Sequence, residues 1–125
     1  MRANEIAALA DRSGHAVGAH TARHVMLPRQ SRAVQRDEIE SSRRALEVLV
    51  DRPVRAFAYP FGAYDDQVVA EVRAASFDVA LTCDATPIVG GVDALRVPRL
   101  EVTPQHAANF DEWLAAKFRN AVTNV

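Results

Sequence analysis

The chain has 125 residues, 49% of them hydrophobic and 25% charged, which predicts one globular domain rather than a disordered segment. Fifteen Lys and Arg nearly balance sixteen Asp and Glu, so a net charge of -1 gives no general attraction to nucleic acid or to an anionic membrane. The single cysteine, Cys83, excludes an intrachain disulfide and any zinc finger that needs two cysteine ligands.

The chain carries no targeting or membrane signal. No apolar run approaches the roughly 20 residues of a membrane helix. The segment from Met1 to Ile6 has a charge but lacks the apolar core of a signal peptide. As written, the chain is expected in the cytoplasm, although a longer native form could be secreted or attached to a membrane. The sequence sets no oligomeric state.

Apolar periodicity and turn residues predict alternating helices and strands. Asn4 is the predicted cap of the first helix and Gly14 its stop, and Asp65 or Asp66 caps the third helix. In chain order the predictions are helix 4–12, weak strand 16–19, loop 21–32, helix 34–50, strand 54–59, a helix with its core face at 68–75, strand 77–82, loop 84–93, strand 95–102 interrupted by Pro98, and helix 107–118.

This alternation predicts an α/β fold with a parallel sheet of βα units. A helix normally connects two strands in such a fold. The helix at residues 4–12 has no strand before it in this sequence. We therefore expect a further strand upstream of the segment that the sequence covers.

Two histidines four positions apart, His20 and His24, follow the first predicted strand. The carboxyl ends of strands are where α/β folds place their sites. Two imidazoles at this spacing can bind one metal ion if the backbone turns between them, and Thr21 can shape that turn. Neutral imidazole suits zinc, cobalt or nickel. By itself the pattern is weak, and it favours two solvated loop histidines over a metal site.

The surrounding sequence is more specific. Residues 14–27 resemble the G-H-E-I-G-x-H-[ST]-x-x-H-x-x-L motif of the NodB-homology polysaccharide deacetylases, carbohydrate esterase family 4, with Ala16 in place of Glu. Residues 55–65 are similar to the F-A-Y-P-[FY]-G-x-Y-[DN] form of the family's third motif. Two later strands of the family resemble residues 74–82, where Ser76 stands in place of Gly, and residues 95–102. The resemblance runs from Asn4 to Phe118, so residues 1–125 are identified as a partial domain of this family.

The resemblance implies a distorted (β/α) barrel and a metal-dependent hydrolase that removes N-acetyl groups from amino-sugar polymers or glycans. His20 and His24 match the two histidines that, with one Asp, hold a divalent metal, commonly zinc. Phe61 matches the position whose backbone N–H stabilises the oxyanion, and Pro60, which would fix its turn, is also a candidate substrate-binding residue. Tyr59 is expected either to line the substrate groove or to be a core aromatic at the strand end.

The departures from the family pattern concern the acidic residues. The family's first motif, T-[FY]-D-D-G, supplies the general base and the third metal ligand, and no Asp-Asp pair precedes His20. Asp11 belongs to a helix, and Asp65-Asp66 reads as a turn and helix cap. We therefore expect an incomplete barrel that lacks its first strand or strands, an incomplete metal site, and little or no activity of this chain alone.

Other candidate residues are less well defined. The arginine of the family's third motif falls on Ala58, and Arg99 either approaches the site in its place or forms a structural salt bridge. His106 is the only late histidine and is the candidate general acid. Cys83 and Asp84 end a strand and read as a buried thiol and a loop carboxylate.

Two other functions compete with a hydrolase. One is a non-catalytic carbohydrate-binding remnant that keeps a groove of Tyr59, Phe61 and Trp113. The other is a decayed fragment that does not fold alone, since an incomplete barrel exposes a sheet edge.

Overall fold

The computed structural model describes the backbone of residues 1–123 and the side chains of residues 1–120. Its helices and strands follow the predicted order. They are α1 (Ala3–Ala10), α2 (Arg32–Val50), β1 (Ala56–Ala58), α3 (Asp66–Ala74), β2 (Val79–Leu81) and α4 (Phe110–Thr123), with 3-10 turns at Leu27–Arg29, Pro60–Gly62 and Pro104–Asn109. None of the helices described has the length and apolar character needed to span a bilayer.

Four segments lie side by side in the order in which the chain visits them. β1 and β2 pair in parallel, with Phe57 opposite Ala80. Single parallel bridges extend the sheet on both sides, from Ala19 to Phe57 and from Val97 to Leu81. The predicted parallel α/β arrangement is therefore confirmed.

The outer two segments are shorter than predicted. Residues 16–19 and 95–102 each form one bridge rather than a strand. Around Ala19 the pairing consists of its N–H donating to Ala56 O at 2.8 Å and its carbonyl accepting from Ala58 N–H at 2.9 Å. Gly18 favours extended pairing weakly, and Pro98 has no N–H for a ladder, so both segments stop after one bridge.

The core is an apolar cluster to which both the sheet and the helices contribute buried residues. The Phe57 ring lies 5.4 Å from Tyr59 and 5.2 Å from Phe77 between ring centroids. Ile39 of α2 and Val68 and Val72 of α3 are fully buried in the same cluster. Burial of one apolar face explains why α2 and α3 form helices at these positions.

Buried polar groups join α2 to α3. Glu71 of α3 accepts from Arg32 Nε at 2.5 Å and from Arg36 Nε at 3.0 Å. Beside this carboxylate, Gln67 donates to Gln35 at 2.9 Å, and Gln35 donates in turn to Leu27 O. Hydrogen bonds from Arg36 and Arg32 lower the pKa of Glu71, so it is charged when it holds the two helices together.

Helix termini agree with the prediction in one place and differ in another. Asp65 caps α3 by accepting from Val68 N–H at 2.8 Å, as predicted. The predicted cap at Asn4 is wrong, because α1 begins at Ala3 and places Asn4 inside the helix. There the Glu5 carboxylate accepts from the Arg2 N–H at 2.6 Å and supplies the cap.

The last helix also differs from the prediction. Residues 107–109 belong to the 3-10 turn, and α4 begins at Phe110. Phe110 and Phe118, predicted on one apolar face, are 39% and 48% exposed. The helix packs chiefly against the turn that precedes it, so its apolar face is only partly covered.

We predict that Ser76→Gly stabilises the fold. Ser76 is exposed and has a φ of 61°, a left-handed conformation that costs a residue with a Cβ about 1–2 kcal/mol. Because glycine loses more backbone entropy on folding, the net gain in the free energy of unfolding should be about 0.5–1 kcal/mol, measurable by urea unfolding. Ser76→Ala keeps the Cβ and should give no gain; equal gains in both variants would contradict this account.

Candidate functional site

Loops from three neighbouring segments meet at the carboxyl edge of the sheet. His20 follows Ala19, Phe61 follows β1, and Cys83 follows β2. Because the segments are parallel, their carboxyl ends lie at the same edge. The rings of His24 and Phe61 are in contact with centroids 4.7 Å apart, and Gly62 packs against Cys83. The predicted histidines and the predicted oxyanion turn therefore lie together.

The two histidines form an exposed pair whose ring centroids are 4.8 Å apart, with planes at 63°. The Nδ1 of His20 lies 2.7 Å from Ala58 O. A carbonyl oxygen only accepts, so Nδ1 carries the hydrogen and neutral His20 keeps a lone pair on Nε2. A backbone carbonyl in this position is a common outer partner of metal-binding histidines.

A tight turn returns His24 toward His20. Thr21 and His24 have φ values of 63° and 56°, both left-handed. The His24 N–H donates to Thr21 Oγ1 at 3.0 Å, so Thr21 shapes the turn as predicted. Each left-handed residue costs about 1–2 kcal/mol, and surrounding contacts must therefore hold the turn in place.

The strongest of those contacts come from Glu38 on α2, a residue to which the sequence analysis gave no role. Its side chain is fully buried, and its Oε2 accepts from the backbone N–H groups of Ala22 at 3.0 Å and Arg23 at 2.8 Å. Its Oε1 accepts from Arg23 Nε at 2.5 Å. The helical spacing could have indicated its burial, because Gln35, Glu38 and Ser42 share the helix face that carries the buried Ile39.

Glu38 is ionised at neutral pH despite its burial. Desolvation by burial favours the neutral acid, but hydrogen bonds from the backbone and guanidinium of Arg23, and from Ala22, outweigh it and lower the pKa of Glu38 below its ordinary value. The turn between the histidines is therefore bound to a buried, charged carboxylate.

The turn at Pro60–Gly62 is the second turn of the site with a left-handed backbone. Phe61 and Gly62 have φ values of 60° and 65°. A Cβ on Gly62 would stand 2.5 Å from the Cys83 Cβ, so only glycine fits there. Gly62 and Ala63 donate the hydrogen bonds that close the turn, at 2.9 and 3.0 Å, and the Phe61 N–H donates neither. Its proposed role as an oxyanion donor stays a prediction.

The structure places Tyr59 and Pro60 in the interior rather than on the groove surface. Tyr59 is fully buried and donates its hydroxyl to Leu95 O at 2.7 Å. Burial raises the pKa of the Tyr59 phenol, so it stays neutral. This is the core position that the sequence analysis gave as the alternative to a groove residue. Pro60 is buried too, and its contribution is to the geometry of the turn.

Arg99 follows the bridge at Val97 and binds a carbonyl just beyond β2 rather than the predicted carboxylate. Its Nε donates to Thr82 O at 2.8 Å, and its Nη2 is 3.7 Å from Cys83 Sγ. The prediction that Cys83 is buried is wrong, because its thiol is exposed at the sheet edge. Asp84 accepts from the Tyr64 hydroxyl at 2.8 Å, and this bond raises the pKa of Tyr64.

His106, the predicted general acid, takes part in a helix start. Its Nδ1 accepts from the Thr103 N–H at 3.1 Å, and its ring stacks on Trp113 with centroids 4.2 Å apart. Asp11 pairs with Arg52 at 2.5 Å, and Asp66 pairs with Arg96 at 2.6 Å. These contacts give His106, Asp11 and Asp66 structural roles.

The histidine pair fits part of a metal site. Two imidazoles in contact, one with its tautomer fixed, suit a divalent cation that accepts nitrogen ligands. Among the residues that the structure describes, no three His, Cys, Asp or Glu side chains are grouped closely enough to hold a metal ion. The two histidines therefore offer two of the three protein ligands that a catalytic metal site usually has.

Comparison with known proteins gives consistent matches. Residues 2–80 match the family model described as Polysaccharide deacetylase. A polysaccharide deacetylase from Bacillus cereus is 31% identical, with a TM-score of 0.72 over 80% of this chain. A candidate polysaccharide deacetylase from Bacillus anthracis is 26% identical, with a TM-score of 0.79 over 94%. IcaB from Ammonifex degensii, 24% identical over 89% of this chain with a TM-score of 0.71, shares the fold.

The matched region covers most of this chain but only part of each known protein. The chain spans 32% of the Bacillus cereus protein, 36% of the Bacillus anthracis protein and 52% of the Ammonifex protein. The prediction of a partial (β/α) barrel is confirmed by these neighbours. No curated protein sequence matches the chain at a significant level.

We predict that acid destabilises the chain through its buried carboxylates. The pKa values of Glu38 and Glu71 are lowered in the folded state. Their contribution to stability is therefore present above the ordinary glutamate pKa of about 4.3 and is lost as the pH falls through the lower folded values. Urea unfolding midpoints should be level from about pH 7 to pH 5.5 and decline below about pH 4.5.

Replacement of a buried carboxylate should flatten this dependence. Glu38→Gln should be less stable than the parent at neutral pH and lose less on acidification, because the titrating group is gone. The exposed residue Glu101 offers a control, since Glu101→Gln should leave the profile unchanged. A parent-like acid profile in Glu38→Gln would contradict the assignment.

Proposed function

The chain belongs to the polysaccharide deacetylase family, and we propose that it is part of a metal-dependent hydrolase that removes N-acetyl groups from amino-sugar polymers or glycans. The reaction cleaves a carbon–nitrogen bond that is not a peptide bond. The observation that carries the proposal is the His20–His24 pair, held at the carboxyl edge of the sheet with His20 Nδ1 bound to Ala58 O.

His20 and His24 would hold the metal, and we propose zinc among the divalent cations that accept imidazole ligands. When bound, such a cation supplies Lewis acidity for hydrolysis of the acetyl amide. His20 presents Nε2 because its Nδ1–H is fixed on Ala58 O. His24 is held by its N–H bond to Thr21. The protein thus fixes the His20 ring and the His24 backbone before any ligand arrives, and the His24 ring rests against Phe61.

Phe61 would serve the substrate in two ways. Its N–H is left out of the hydrogen bonds that close its turn, and we propose that it donates to the oxyanion of the acetyl group. Its ring is 62% exposed beside His24, where it can contact an apolar face of a sugar. Arg99 follows the outer segment at Val97 and bonds to Thr82 O just beyond β2, and we propose that it contributes to substrate binding.

Full chemistry also needs a general base and usually a third protein ligand. The described residues bring no carboxylate into a three-membered group with the two histidines. We therefore propose that residues 1–125 alone bind zinc weakly and turn over slowly or not at all. A carbohydrate-binding role without turnover is the second candidate, and the exposed Phe61 ring is the observation that favours it.

Zinc titration tests the metal site. We expect zinc to shift the imidazole NMR signals of His20 and His24 with a dissociation constant weaker than about 1 μM, because two nitrogen ligands are available. His20→Ala should abolish the response. His15→Ala is the matched control, since His15 is an exposed histidine that contacts Ser13 O in a turn. No response at the pair, or loss in both variants, would contradict the assignment.

Acetate release tests the chemistry. With zinc and an N-acetylglucosamine oligomer, we expect release close to the buffer rate, and an increase on adding formate, a small carboxylate that can stand in for the absent base. His20→Ala should abolish that increase. Oligomer binding that shifts Phe61 signals, with no acetate under any condition, would support the binding role instead.

A further inference from the structure

We infer that Glu38 is a positioning residue for the histidine pair, acting from α2 through the turn that separates His20 from His24. The inference rests on the proposed function, because positioning matters for chemistry only if the pair binds a metal. Glu38 itself contacts neither imidazole. Its influence passes through Ala22 and Arg23, the residues midway between the two histidines.

Both oxygens of Glu38 are used on this turn. Oε2 accepts from two consecutive backbone N–H groups, those of Ala22 and Arg23, and Oε1 accepts from Arg23 Nε. Hydrogen bonds to a charged acceptor are among the stronger ones in proteins, and burial of the carboxylate keeps water from competing. The three hydrogen bonds described for Glu38 therefore all come from one short segment, Ala22 and Arg23.

The hydrogen bonds to Glu38 hold a turn whose backbone is strained. The turn has left-handed residues at Thr21 and His24, and Ala22 and Arg23 lie between them. His20 is fixed on one side by Ala58 O, and His24 is fixed on the other by Thr21 Oγ1. Without Glu38, the middle of the turn would lose its hydrogen bonds, and the two rings would no longer be held 4.8 Å apart.

The chain contains a matched control for this effect. Glu71 is also a buried carboxylate, 2% exposed, and also binds arginine side chains. Its partners, Arg32 and Arg36, lie on α2, and it accepts no backbone N–H from residues 20–24. Glu71→Gln should therefore disturb the packing of α2 on α3 without loosening the histidine turn.

Amide hydrogen exchange measures the hydrogen bonds from Ala22 and Arg23 to Glu38 without any metal. In the 125-residue chain, Glu38→Gln should speed exchange at the Ala22 and Arg23 amides by about tenfold or more relative to the parent, because the charge-assisted acceptor is lost. Glu71→Gln should leave these two amides at parent rates. Unchanged exchange at Ala22 and Arg23 in Glu38→Gln would overturn the inference.

Zinc affinity then measures the consequence. Loss of a group bonded directly to a metal ligand typically weakens metal binding by about 10- to 100-fold. Because Glu38 acts one step further out, through Ala22 and Arg23, we expect a loss of up to about 10-fold in Glu38→Gln and none in Glu71→Gln. If Glu38→Gln does not fold, Glu38→Asp keeps the charge but shortens the reach, and should show the same changes at smaller size. Equal affinities in the Glu38 and Glu71 variants would overturn the inference.

The two measurements separate this inference from the proposed function. If the parent chain binds no zinc, the proposed function fails, and the exchange rates at Ala22 and Arg23 still decide whether Glu38 holds the turn. If the parent binds zinc and Glu38→Gln binds it equally well, the proposed function stands and the positioning role fails.

Discussion

The candidate site depends on the parallel hydrogen bonding of the segment at Ala19 to β1. The Ala19 N–H donates to Ala56 O, and the Ala58 N–H donates to Ala19 O. These two bonds set the register in which Ala58 O meets the ring of the next residue, His20. A slip of one residue would turn that ring to the other face of the sheet. The single bridge between Ala19 and Phe57 thus aligns the His20 ring with Ala58 O, and that contact selects the tautomer of His20.

Local sequence was sufficient for those parts of the site that are local in the chain. The spacing of His20 and His24, the role of Thr21 and the cap at Asp65 all involve residues within four positions of one another. The partners of the turn are different, because Ala58 O is 38 residues from His20 and Glu38 is 15 from Arg23. A backbone acceptor has no side-chain signature, and only the tertiary fold shows which one is near.

Residues assigned by type alone were the least predictable. Tyr59 follows Phe57 by two positions, and residues two apart in a strand face the same side, so burial of one accompanies burial of the other. His106 has the chemistry of a general acid, but its Nδ1 accepts from the Thr103 N–H and its ring stacks on Trp113 at the start of a helix. In both cases the surrounding contacts, and not the side chain's chemistry, decided the role.

The close approach of Gly62 to Cys83 has a consequence for engineering. The loops after β1 and β2 touch through a position that admits no side chain, so neither loop has an independent shape. A graft that replaces the loop at Pro60–Gly62 with one from another protein must bring the partner loop at Cys83 with it. Any exchange of loops at this edge of the sheet should therefore treat these two loops as one unit.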